Sequence, residues 1–130
     1  MIVVDASAVL EVLLNTSDGT AIAARLFTAG ETLHAPHLLD LEVTQVLRRY
    51  ARSGELTAQR GVQALEDLVD LPLARYPHEF LLARIWELRD NVTAYDAAYL
   101  ALAEALAAPL VTRDAALASS RAHRARVELM

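Results

Sequence analysis

The chain opens on three consecutive β-branched residues, Ile2-Val3-Val4, an uninterrupted apolar run that suits a strand buried on both faces. The run stops at Asp5, and Ser7 to Leu14 then carries helical spacing. A second helix is predicted from Thr20 to Phe27, and a weak short strand over Leu33-His34-Ala35. The clearest amphipathic pattern follows: from Leu38 to Arg52, residues Leu39, Val43, Val46, Leu47 and Tyr50 form one stripe. Gly54 stands where a helix-ending glycine belongs, and Thr57 caps a helix running to about Asp70. Leu73 to Tyr76 reads as a strand and Glu79 to Leu88 as a helix.

Thr93-Ala94-Tyr95-Asp96 has the spacing of a capping box, with Asp in the usual Glu or Gln place. The helix it starts, Ala94 to Leu106, is apolar on most sides and is therefore expected at the centre. Pro109 to Thr112 reads as a strand, Asp114 to Ser119 as a short helix, and Val127 to Leu129 as a last strand. Strands alternating with helices predict an α/β fold, with about five short strands in a central, mainly parallel sheet flanked by helices. The 130 residues suffice for a single domain, 1–130, with no repeat or linker.

Composition narrows the chemistry. There is no Cys, so disulfides, thiolate metal sites and cysteine nucleophiles are excluded. All 12 basic residues are Arg, which removes lysine Schiff bases and phosphate-binding loop lysines. The N-terminus does not read as a signal peptide, and the apolar tract from Ala97 to Val111 is broken by Glu104 and Pro109. No membrane association and a cytoplasmic location are expected. The net charge of -5 weighs against a nucleic-acid partner for the chain as a whole, but not for one face of it.

Four acids stand out. Asp5 directly follows the first strand, and Asp114 lies two residues past the apolar part of the Leu110-Val111 strand. If those strands are neighbours in a parallel sheet, both acids reach the crevice beyond the strand ends, where ligands bind. Glu42 borders the buried stripe of its helix, and Asp96 sits in the first turn of an almost wholly apolar one. Each has an ordinary explanation: Asp96 as a helix-start acid, Glu42 as a surface acid, Asp114 as a helix cap. Asp5 has no routine structural job. Together, acids beside apolar faces call for raised pKa values or a bound cation, and oxygen-only ligands select a hard ion, Mg²⁺ or in its place Mn²⁺. His34, His37, His78 and His123 show no zinc spacing; only His37, near Glu42, adjoins this set.

Four segments, in order, carry a resemblance that spans essentially the whole chain. Val4-Asp5-Ala6-Ser7-Ala8, Ala35 to Val43, Thr93 to Ala103 and Leu110-Val111-Thr112-Arg113-Asp114 resemble a PIN domain, in the form of a VapC-type toxin of a VapBC toxin–antitoxin system. The resemblance implies a Mg²⁺-dependent endoribonuclease. Asp5, Glu42, Asp96 and Asp114 match the family's acidic catalytic and metal-binding positions. Ser7 and Thr112 match its small hydroxyl positions, expected to orient carboxylates or water. It further implies a homodimer and a cognate VapB-type antitoxin that covers the acidic site.

An RNA substrate must be attracted to an acidic protein. Arg48, Arg49 and Arg52, on the helix carrying Glu42, are candidate phosphate contacts, as are Arg121, Arg124 and Arg126. The ordinary alternative for the first group is a solvated helix face with Glu55 nearby. Trp86 and Tyr99 are candidate stacking residues, although aromatics at helical spacing more often serve a core. A phosphoacceptor module would need paired acids after the first strand and a late lysine, both missing, and an Asp-x-Asp phosphatase fails because residue 7 is Ser. The remaining alternative is an inactive PIN-like scaffold that binds protein or RNA.

Overall fold

The computed structural model describes all 130 residues. Five strands, β1 (Ile2–Val4), β2 (Leu33–Pro36), β3 (Leu73–Tyr76), β4 (Leu110–Thr112) and β5 (Val127–Leu129), pair in the order β3-β2-β1-β4-β5. Every pairing is parallel. The helices are α1 (Ala6–Leu13), α2 (Gly19–Leu26), α3 (Leu38–Ser53), α4 (Ala58–Asp70), α5 (Leu82–Glu87), α6 (Ala94–Leu106) and α7 (Ala115–Ala118). The predicted α/β architecture and strand count hold, with boundaries differing by one or two residues, as helix ends commonly do.

The strand order explains the opening apolar run. β1 is the middle strand, so Ile2, Val3 and Val4 have helices on both sides of the sheet and are 0% exposed. Each such side chain contributes roughly 1.5–3 kcal/mol by leaving water. α6 packs against β1, β2 and β4, and its Ala97–Ala103 run is buried at all seven positions. Small side chains at most of those positions let helix and sheet approach closely. Gly54 ends α3 in the left-handed conformation, φ 82°, which costs glycine nothing.

One predicted helix breaks. Glu79 to Leu88 divides into a 3₁₀ turn at Glu79–Leu81 and the short α5, and Leu88 closes α5 by donating its amide to the carbonyls of both Arg84 and Ile85. Leu81 and Leu88 both reach the core, and the break lets the two ends of this segment bury independently.

From β1 the chain builds outward to β2 and β3 on one side, then returns to build β4 and β5 on the other. The order therefore reverses between β1 and β4, which pair directly with Val4 opposite Val111. The carboxyl ends of all five parallel strands lie along one rim, and the crevice of an open α/β sheet forms at this switch point.

Candidate active site

The residues that end β1 and β4 interlock. Asp5 is only 8% exposed and caps α1: its Oδ1 accepts the Ser7 amide at 2.6 Å. Its other oxygen, Oδ2, accepts the hydroxyl of Thr112, a fully buried residue of β4. Thr112 Oγ1 in turn accepts the Asp114 amide at 2.9 Å. The Ser7 hydroxyl accepts the Arg113 amide at 2.9 Å and lies 3.3 Å from Thr112 Oγ1, to which it donates because the Thr112 proton is committed to Asp5. Ser7 and Thr112 thus hold one carboxylate in place from two strands. The sequence reading that Asp5 has no structural job is corrected: it is the N-cap of α1.

The other three acids arrive from three helices. Glu42 lies in the second turn of α3, just past the end of β2, and its Oε1 accepts the Tyr99 hydroxyl at 2.6 Å. Asp96 is the third residue of α6; Thr93 caps that helix by accepting the Asp96 amide at 3.2 Å, and the reciprocal half of a capping box is not formed. The Asp96 carboxylate is left free of hydrogen bonds. Asp114 does act as a cap, its Oδ1 taking the amides of Ala116 and Leu117. The cap occupies one oxygen and leaves Oδ2.

These acids share one field. Burial, above all, raises the pKa of Asp5; the bonds from Thr112 and Ser7 oppose this, and the charge of Asp114 adds to it. Glu42 is raised by burial, opposed by the Tyr99 bond, and raised further by Asp5 and Asp96. Asp96 is raised by burial and then by Asp114 and Asp5. Asp5 thus acts on both Glu42 and Asp96, and Asp114 on both Asp5 and Asp96. No ion pair of the molecule involves any of the four. Arg113, the nearest arginine in sequence, turns away to Asp18 at 2.8 Å and the Met130 carbonyl at 2.9 Å.

The donor set suits a hard divalent ion in charge and element, since every available atom is a carboxylate or hydroxyl oxygen. It does not amount to a finished cage: no three His, Asp or Glu side chains approach closely enough to hold an ion as they stand. The four carboxylates follow strand ends or helix starts on one rim and influence one another's charge, but they form no closed shell. Mg²⁺ typically keeps several waters and takes one or two protein carboxylates, so an open shell is compatible with it.

A cavity of about 570 Å³ opens beside Asp5 and Glu42 along α3, with Arg49 and Tyr95 also in its wall. Arg48 and Arg52 are exposed on the same helix but outside that wall. Glu55 bonds Ser53 at 2.7 Å and pairs with none of the three arginines. Arg124 and Arg126 lie at the opposite rim, tied to Glu104 and Glu128. Tyr99, at 2% exposure, offers no ring face to a base; its part is the hydroxyl on Glu42. Trp86 is exposed, with the Arg89 guanidinium 4.6 Å from its ring centre. His37 makes no side-chain bond to Glu42.

Comparison with known proteins agrees with this geometry. A family model described as PIN domain matches residues 2–121. Ribonuclease VapC9 of Mycobacterium tuberculosis is 51% identical over 120 residues, 92% of this chain and 91% of the relative. Ribonuclease VapC12 of the same organism is 41% identical over 130 residues, 100% of this chain and 99% of the relative. Among solved structures, VapBC2 from Rickettsia felis, bound to a DNA fragment from its promoter, superposes with a TM-score of 0.71 at 14% identity. That match covers 99% of this chain and 98% of the other and bears on fold alone. The chain belongs to the PIN-domain family, on its VapC branch.

Proposed function

We propose that the chain is a metal-dependent endoribonuclease, the toxin of a type II toxin–antitoxin pair, cleaving RNA phosphodiester bonds at the rim of β1 and β4. The observation that carries this reading is a group of four acids with no cationic partner, three of them with raised pKa, at the switch point of a parallel sheet. Kinship with ribonucleases VapC9 and VapC12 supports RNA as the substrate.

Asp5 and Asp96 would be the main ligands for Mg²⁺, with Mn²⁺ as a substitute, and Glu42 and Asp114 would complete the set. A bound divalent ion supplies neutralising charge for the phosphate and lowers the pKa of water. Ser7 and Thr112 fix the Asp5 carboxylate so that its oxygens need not reorganise during the reaction. The carboxylate less engaged by the ion, Glu42 or Asp114, accepts a proton from the attacking water. Glu42 has one oxygen pinned by Tyr99 and the other available for this role. Arg49, flanked by Arg48 and Arg52, draws the polyanion toward an otherwise acidic rim. A VapB-type antitoxin covering the rim and a homodimeric assembly belong to the same reading. No helix is long and apolar enough to cross a membrane.

The test is cleavage of RNA with and without Mg²⁺ by wild type and Asp5→Ala. We expect chelator to abolish cleavage and the substitution to lower it by about 10²- to 10³-fold, the usual effect of removing one electrostatic element of an active site. Cleavage indifferent to both returns the scaffold alternative.

A further inference from the structure

The cavity beside Asp5 and Glu42 continues along α3, away from the strand ends. Glu42, Gln45, Val46, Arg49 and Tyr50 present one face of α3 to it, and Leu41 extends its apolar wall. Tyr95, next to Asp96, also borders it, yet its ring is 66% exposed and makes no hydrogen bond. Such a ring contributes little to the core. Gln45 and Arg49 likewise have neither hydrogen-bond nor ion-pair partners. Of the 12 arginines, six enter ion pairs, and three of the other six are Arg48, Arg49 and Arg52 on this helix. Seven residues separate Glu42 from Arg49, about 10 Å along the helix axis. That span is short enough for neighbouring nucleotides of one strand.

We propose that the cavity seats one unpaired base of a single-stranded RNA, beside the phosphate held at the acids. Tyr95 stacks on the base, Gln45 reads its edge, and Arg49 takes the neighbouring phosphate. This deepens the ribonuclease reading and rests on it. A base is an apolar plate with a polar edge. The wall offers leucine and tyrosine for the faces and the Gln45 amide, donor and acceptor both, for the edge, while Glu11 and Arg113, also in the wall, are paired with each other. Single strands are held through stacking and backbone charge, and the free guanidinium lies where the backbone must continue. A peptide's apolar side chain in the cavity would leave the Gln45 amide and the Arg49 charge without work. A base-paired duplex cannot splay a base into it. Tyr95 and Arg49 are thus positioning residues, and Gln45 a specificity residue.

The experiment maps the cleaved bond in a mixed-sequence oligoribonucleotide, then varies only the base beside it. Wild type, Tyr95→Ala and Gln45→Leu are compared in oligonucleotide binding and in kcat and KM, on single strands and on the matched duplex. We expect Tyr95→Ala to raise KM about tenfold while kcat and the melting temperature change little. Gln45→Leu compresses the preference between bases, and the duplex is a poor substrate. Intact cleavage with KM and base preference unchanged in both variants overturns the base site and leaves the ribonuclease standing. So does a loss confined to binding of a protein partner. Tyr95-dependent binding of the single strand without any cleavage, with or without Mg²⁺, overturns the reaction instead and leaves the base site standing. Absence of both binding and cleavage in wild type overturns both.

Discussion

The two ends of α6 carry acids of opposite circumstance. Asp96 sits in its first turn, where the helix dipole favours negative charge, and has no cationic or hydrogen-bonding partner. Its pKa is raised by burial and by Asp114 and Asp5. Glu104 sits two residues from the last helical position, where the dipole disfavours it, and its side chain is only 7% exposed. Arg84 grips it with two bonds at 2.8 and 3.0 Å, and the Arg124 amide adds another at 2.7 Å. Its pKa is accordingly lowered, chiefly by Arg84. Arginines pair with acids at both ends of the strands: Arg84 with Glu104 at the amino ends, Arg75 with Asp40 and Arg113 with Asp18 at the carboxyl ends. Asp5, Glu42, Asp96 and Asp114 are left without a cationic partner there, which sets them apart from a structural ion-pair network and fits the proposed site.

The sharpest way to break this comparison is to neutralise each acid in turn, with chelator present. Glu104→Gln is expected to destabilise the fold by about 2 kcal/mol, because the partly buried Arg84 then keeps only its pairing with the exposed Glu87. Asp96→Asn is expected to raise stability by up to about 1 kcal/mol, since it relieves repulsion and breaks no bond. Denaturant melts check both, and equal signs would erase the distinction.

A smaller effect is the dependence of stability on pH. Glu104 and Glu128 have lowered pKa values, Glu128 through its bond with Arg25, so their contribution is full above about pH 4.5 and is lost as pH falls through their folded values. Asp5, Glu42 and Asp96 have raised values, so the native state holds their protons more tightly than the unfolded chain does. They cost stability as pH rises from about 4 through those raised values. Metal-free protein should therefore gain stability on mild acidification from neutral pH, then lose it below about pH 4. Added Mg²⁺ should flatten the upper part of the curve; thermal melts across pH with and without the ion would show it.

The smallest effect tests the rim's internal chemistry. Tyr99→Phe removes the bond that favours ionised Glu42, so the acid limb of the cleavage profile should move to higher pH, with only a few-fold loss at its plateau. An unmoved limb would mean that Glu42 does not take the reaction's proton.

Much of this was legible in the sequence because the signals were local. An apolar triplet marks the middle strand, Thr57 and Thr93 mark helix starts, and acids placed at strand ends and beside apolar stripes mark the rim. What was not legible depends on side chains far apart in the chain. Tyr99 reaches Glu42 across 57 residues and Arg84 reaches Glu104 across 20, so periodicity treats each as core or surface. The reach of Arg113 to Asp18, which leaves the rim without a counter-ion, spans 95 residues. The break in the Glu79–Leu88 segment was equally hidden, because its apolar spacing fits one helix as well as two pieces.

The sealed alanine-rich stretch of α6 has a mechanical consequence. A rod enclosed on every side cannot slide or roll without driving methyl groups into its neighbours, so Asp96 is mounted on an immobile post. Asp5, clamped between two strands, is equally stationary. Asp5, Glu42 and Asp114 each have at least one carboxylate oxygen held by a hydrogen bond, so on the proposed reading the side chain freest to turn toward a bound cation is that of Asp96, above its immobile helix.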